Sequence, residues 1–235
     1  MWQPILEQVR LQQDSLDRHI SGWLQAYAST GSRIFCAKGC RSCCSLMVNC
    51  TFPEALASAR SLPEALLPPL RAHLQRLVDL LPELTDLRTF LRLHRQRLGF
   101  CPFLDEQGCC GIYGMRPLSC RTLLATKESR WCGADFAAIS SEEKQQFVAS
   151  LDQSIVSFPM HYVAATQEQG QELELNLSHQ MATACGFSIY GNLPVLVWLE
   201  RELGLSQAIG RGYEATAEVL KQSGLNHPFL VMVDR

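Results

Sequence analysis

The chain has 235 residues, 47% of them hydrophobic and 19% charged, with Lys+Arg 21 against Asp+Glu 23 and a formal net charge of −2. That composition supports a sizeable buried core, excludes disorder by composition, and lacks the basic excess of a general nucleic-acid binder. No stretch approaches the roughly 18 apolar residues of a membrane span, and Glu7 and Arg10 stand where a secretory leader needs an apolar run.

In chain order, Ile5, Leu6, Val9, Leu16, Ile20, Trp23, Leu24 and Tyr27 recur at helical spacing and predict a helix over 4–28, ended by Gly31 and Ser32. A cysteine-rich segment runs from Cys36 to Cys50. Thr51-Phe52-Pro53-Glu54 and Ser61-Leu62-Pro63-Glu64 both have the form of a capping box with proline at a helix start. They predict helices over 53–60 and 64–80. A helix over 83–98 carries Leu84, Leu87, Phe90, Leu91 and Leu98, and its arginines read as a solvated face. Residues 101–132 are rich in glycine, proline and aromatics, the composition of an ordered loop with short helical pieces. Ser140-Ser141-Glu142-Glu143 opens a helix to about 157, before Pro159. Asn192 with Pro194 starts another through Leu203, and Ser206 one through Lys221, with Gly204 and Gly224 as stops. Residues 229–233 form a short strand or a docked tail. No repeat and no linker divides the chain. The reading is mainly α, a single domain over 1–235. An irregular cysteine-rich metal-binding core at 36–132 is formed by two loop segments packed among helices, and a helical extension covers 140–235.

Cysteine is the outlier, at 11 residues. An odd count cannot pair off within one chain, and the sequence reads as cytoplasmic, where thiols stay reduced. Clustered cysteines there are metal ligands or redox groups. The first group is Cys36-Ala-Lys-Gly-Cys40-Arg-Ser-Cys43-Cys44, whose spacing lets a tight turn aim several thiolates at one point. Adjacent side chains diverge, so Cys43 and Cys44 suit two metals, or different irons of one cluster. The second group comprises Cys101, Cys109, Cys110, Cys120 and Cys132, with Pro102, Gly108, Gly111 and Pro117 shaping the backbone between them.

These residues resemble the YkgJ-type cysteine-cluster family, the zinc- or iron-chelating CxxCxxCC type. Cys36, Cys40, Cys43 and Cys44 match its first group and Cys101-Pro102-Phe103-Leu104 its second. The run from Cys110-Gly111-Ile112-Tyr113 through Arg116-Pro117 to Cys120-Arg121 matches its third, with Cys132 the eighth cysteine. The register to Ile112 and Tyr113 favours Cys110 over Cys109. Cys50 and Cys185 read as small buried hydrophobes. The resemblance, spanning 36–132, implies eight metal-binding thiolates. Arg116, Arg121 and Tyr113 stand behind them as charge-compensating or hydrogen-bonding groups.

Iron–sulfur chemistry and zinc both suit such a set, and redox disulfides are the third reading. The expected function is metal binding with a structural or electron-transfer role. The alternatives are a metal-dependent redox or group-transfer enzyme with a pocket from the C-terminal helices, and a zinc-stabilised interaction module. No phosphate loop, dinucleotide fingerprint, nucleophile elbow or H-E-x-x-H occurs. Of the six histidines, His161 stands out because it lies past the helix break at Pro159. Asp105 and Glu106, between cysteines, read as turn carboxylates or an open-site ligand. The partners expected are a metal ion or cluster, with no membrane.

Overall fold

The structure is a computed structural model describing residues 1–235. It is mainly helical. The first helix, α1 (Trp2–Ser29), buries Ile5, Val9, Leu16 and Ile20 on one face. A short strand, β1 (Asn49–Thr51), leads directly into α2 (Phe52–Ser61). At that junction the Thr51 backbone N–H and hydroxyl both donate to Glu54, at 3.0 and 2.8 Å, so the predicted cap forms. Then follow α3 (Leu67–Leu80), α4 (Leu87–Leu93), the one-turn α5 (Leu118–Arg121) and α6 (Ser141–Ala149). The C-terminal third holds α7 (Ala164–Cys185), β2 (Ser188–Asn192), α8 (Leu193–Leu203), α9 (Leu205–Gly210), α10 (Tyr213–Gln222) and β3 (Val231–Asp234).

The three strands form one antiparallel sheet in the order β1-β2-β3, with Cys50 opposite Gly191 and Gly191 opposite Val231. This sheet ties the first cysteine segment to the C-terminal third. The largest apolar core gathers Phe52 and Leu56 of α2, Leu70 and Leu74 of α3, Phe90 of α4 and Leu196 of α8. Each such fully buried side chain stabilises the fold by roughly 1.5–3 kcal/mol. A second cluster packs Val9, Leu16 and Ile20 of α1 on Leu118 and Leu177. The helices and sheet build these cores, and the cysteine segments border them. Cys101 and Cys110 pack against the larger core from partly buried positions, while Cys36 and Cys40 are exposed.

Several expected boundaries move, each for a local reason. The predicted helix 83–98 starts only at Leu87, because the Asp86 carboxylate takes the Thr89 amide at 2.9 Å. Its last turn, His94–Leu98, widens to a π-turn closed by Gly99. The Ser61 capping box does not form; a 3₁₀ turn over Glu64–Leu66 follows Pro63 with no side-chain cap. The helix expected to run to about 157 ends at Ala149, and Asp152 then takes the Ser154 amide and hydroxyl in a turn of its own. The helix predicted over 206–221 splits at Gly212, whose φ of 103° lies outside helical space. The long α7 has no counterpart in the predicted boundaries. It buries only Thr166, Gly170, Leu177 and Met181, too thin a stripe to announce itself.

His73 on α3 and His94 lie inside the larger core with ring centroids 6.2 Å apart. Both nitrogens of His73 and Nδ1 of His94 have no hydrogen-bond partner within the protein. Burial lowers both imidazoles to about 4, against an ordinary value of 6.5. Between those values the unfolded chain binds more protons than the folded one. Stability from the neutral pair is therefore complete above about pH 6.5 and is lost as pH falls toward 4. Replacing His73→Leu removes one unpartnered buried base. Thermal denaturation is expected to show unchanged or higher stability at pH 7, and a shallower loss on acidification than wild type. A Cβ on Gly191 would sit 2.3 Å from the Leu230 carbonyl oxygen. Gly191→Ala is accordingly expected to cost about 1–3 kcal/mol, seen as a melting temperature lower by several degrees.

Candidate metal centre

The first cysteine segment passes through a 3₁₀ turn, Ser42–Ser45, before entering β1. Cys101 then docks beside it, its N–H donating to the Cys44 carbonyl at 2.8 Å. Arg41 stacks on Phe100 at 4.9 Å and lies against Gly108, where a Cβ would stand 3.0 Å from its Cδ. From Cys101 to Cys110 the loop closes on itself. Asp105 accepts the Cys109 amide at 2.8 Å and the Gln107 amide at 2.9 Å, so it acts as a turn carboxylate. Cys110 bridges back to Leu104. Cys120 rides on α5, and Cys132 follows the 3₁₀ turn Ser129–Trp131.

The thiols fall into two groups that meet at Cys43. Cys132 feels the charges of Cys36, Cys43 and Cys40, whereas Cys120 feels those of Cys101, Cys43 and Cys110. Cys101 and Cys110 likewise feel Cys43. Cys43 itself is raised first by its hydrogen bond with Cys44, then by burial. Cys185 lies near Met1, its Sγ 3.7 Å from the thioether. Cys50 is fully buried in the sheet beside α2. No three of the side chains stand in ligating geometry about one point.

Burial raises the Cys36, Cys101, Cys110, Cys120 and Cys132 thiols, Cys101 to about 12 and Cys132 to about 11. Proton loss therefore needs a compensating positive charge. The surroundings provide part of it. The Ala125 amide donates to Cys36 Sγ at 3.3 Å, and the Phe103 and Ile112 amides favour the thiolates of Cys101 and Cys110. The last two place a backbone N–H two residues beyond its own cysteine, an arrangement that suits a metal-bound thiolate. Arg116 lowers Cys36, Cys43, Cys110 and Cys120 through its charge. Arg121 is buried and turns elsewhere. It donates to the Arg116 and Gly114 carbonyls and pairs with Asp17 of α1 at 2.5 Å, bracing the loop that carries Arg116. Tyr113 is exposed, with the Arg116 guanidinium 4.1 Å from its ring centre. The donor set, soft sulfur with amide and guanidinium support, fits zinc or iron.

His161 is buried with its Nε2 3.3 Å from Cys132 Sγ. Burial lowers it to about 4, so the ring is neutral at physiological pH. Tyr162 packs with Cys132 in a small buried cluster. Neither contact follows from cysteine spacing. The only sequence signal was the position of His161 past Pro159.

Residues 35–148 match the family model CxxCxxCC, described as "Putative zinc- or iron-chelating domain". The chain carries a CxxCxxCC domain. No curated protein and no solved structure matches it. The match runs past Cys132, the limit set by the motifs, and through most of α6. Packing explains the extension: Phe147 of α6 lies 4.3 Å from Trp131, beside Cys132. The description is of a zinc- or iron-chelating kind of domain. If Cys110 is the ligand of the vicinal pair, Cys110→Ser lowers the metal-to-protein ratio while Cys109→Ser leaves it at the wild-type value. Elemental analysis of the purified variants checks this, and equal losses would assign ligation to both.

Proposed function

We propose that the CxxCxxCC domain holds metal through Cys36, Cys40, Cys43, Cys44, Cys101, Cys110, Cys120 and Cys132. An iron–sulfur cluster is the first occupant and zinc the second. The observation that carries this reading is the match of residues 35–148 to a zinc- or iron-chelating domain, and a division of the thiols about Cys43 fits it. Cys36, Cys40 and Cys132 form one side, and Cys101, Cys110 and Cys120 the other. One sulfur of the Cys43–Cys44 pair given to each side makes two four-thiolate sets. Four thiolates with one divalent zinc, or with an oxidised [4Fe–4S] core, carry a formal charge of about −2. Arg116 stands where it offsets that charge.

The role that fits is structural or electron-transferring. Metal at these positions clamps the turn at 36–44 to the loop at 101–132 and contributes folding free energy directly. The exposure of Cys36 and Cys40 leaves one group near solvent, where electrons can enter or leave. Zinc is favoured as the second reading by the same four-plus-four division, which needs no sulfide bridge.

Anaerobic purification, followed by visible absorption and by iron, sulfide and zinc analysis, tests the assignment. The expected protein is brown, with iron and inorganic sulfide in comparable amounts and visible absorption that bleaches on reduction. A colourless protein with stoichiometric zinc and no iron from the same preparation would transfer the assignment to zinc. Chelation of either metal is expected to lower the melting temperature by at least about 5 °C, because thiolate–metal bonds join distant segments.

A further inference from the structure

Beside the cysteine segments lies a cavity of 330 Å³ that the metal-binding reading does not use. It is lined by residues 46–49, by Ser119 and Thr122–Leu123, by the α7 residues Gln167, Gly170, Gln171 and Glu174, and by Tyr190 of β2. Gly170 lets α7 approach closely here, since a Cβ would meet Thr122 Cγ2 at 2.4 Å. Leu46, Met47 and Leu123 supply apolar surface. Glu174 is the sole charged residue of the lining, and no lysine, arginine or histidine faces it there.

Two lining side chains have unmet hydrogen-bonding capacity, and both are acceptors. Glu174 Oε1 and Asn49 Oδ1 are buried with no partner within the protein. Buried polar atoms are nearly always partnered, so this pair marks a place built for donors. The neighbouring Glu54 makes the contrast clear. It is wholly buried, yet it accepts from Thr51 N–H, the Thr51 hydroxyl and Leu118 N–H. Glu174 keeps its Oε1 without a partner. Burial first, then the Glu54 charge, push its carboxyl up to about 8, although Ser119 and Tyr190 draw it part of the way back. A carboxylate in this position gains most from a cation with several N–H donors.

We propose that this cavity binds an aliphatic primary ammonium group, its head on Glu174 and Asn49 and its stem along Leu46, Met47 and Leu123. An ammonium offers three donors and a compact charge, matching two unpartnered acceptors, one of them a carboxylate oxygen. A bare metal ion fits poorly, because it would fill little of 330 Å³ and no three ligating side chains converge here. An anion finds no cationic side chain in the lining. The site shares Leu46 and the Ser119–Leu123 stretch with the cysteine segments, but its chemistry does not depend on which metal they hold.

The test uses the full-length protein as purified, with its metal content measured in the same samples. Ligand-observed NMR at low ionic strength compares n-butylammonium with n-butanol and butyrate. Saturable n-butylammonium binding is expected with a Kd of about 1–10 mM, within the limit for so few heavy atoms. n-Butanol and butyrate should bind at least tenfold more weakly. Glu174→Gln, which keeps the shape and removes the charge, should weaken n-butylammonium at least tenfold with metal content and circular dichroism unchanged. A lysine capped at both backbone ends, run in parallel, assigns the ammonium to a protein side chain if it binds tighter and to a free amine if it binds weaker. Equal binding of n-butanol and n-butylammonium to the wild-type protein would overturn the proposal without any variant. So would n-butylammonium binding that Glu174→Gln leaves unchanged.

Discussion

One buried carboxylate holds the two cysteine segments to each other. Glu54 closes the start of α2 through Thr51, and its other oxygen accepts the Leu118 amide at 2.7 Å. Leu118 begins α5, which carries Cys120, while β1 continues from the turn that carries Cys43 and Cys44. The same side chain therefore caps one helix and seats the next, across 64 residues of sequence. Burying a carboxylate is expensive unless its lone pairs are satisfied. Here three donors satisfy it, and the Arg121 charge lowers its pKa from the raised value that burial imposes.

Arg121 extends that link to the N-terminal helix. Its guanidinium takes the Gly114 and Arg116 carbonyls and the Asp17 carboxylate, so the loop after Cys110 is braced against α1. That bracing leaves the Arg116 charge available to the thiols. Two arginines flanking one cysteine thus divide the work: the first offsets charge at sulfur and the second fixes the first. The thiols, raised by burial and by one another, release protons readily only when positive charge arrives.

The α7 helix serves two neighbours. On one face Leu177 joins Leu16 and Ile20 of α1, and elsewhere Gly170 lies against Thr122. The segment after Pro159 adds His161 and Tyr162 around Cys132, so the cysteine loop is enclosed by chain well beyond the motif. The extension of the family match through α6 has the same origin, in the Trp131–Phe147 contact.

The sequence by itself determined the local features, because their causes are local. The stripe of α1 follows from side-chain period. The start of α2 follows from Thr51 and Glu54, and the start of α8 from Asn192, whose side chain accepts the Val195 amide at 3.2 Å. Only the tertiary structure decided the rest. The helix α7 has too few buried positions to betray its period, and each short strand forms only against partners far away in the chain. The Ser61 box was legible but not realised, since the chain turns through 3₁₀ geometry after Pro63. The grouping of thiols about Cys43, the Cys132–His161 contact and the unpartnered acceptors of Glu174 and Asn49 arise from long-range packing. Spacing can name such groups, but which of them meet is set by the burial of residues that carry no chemistry at all.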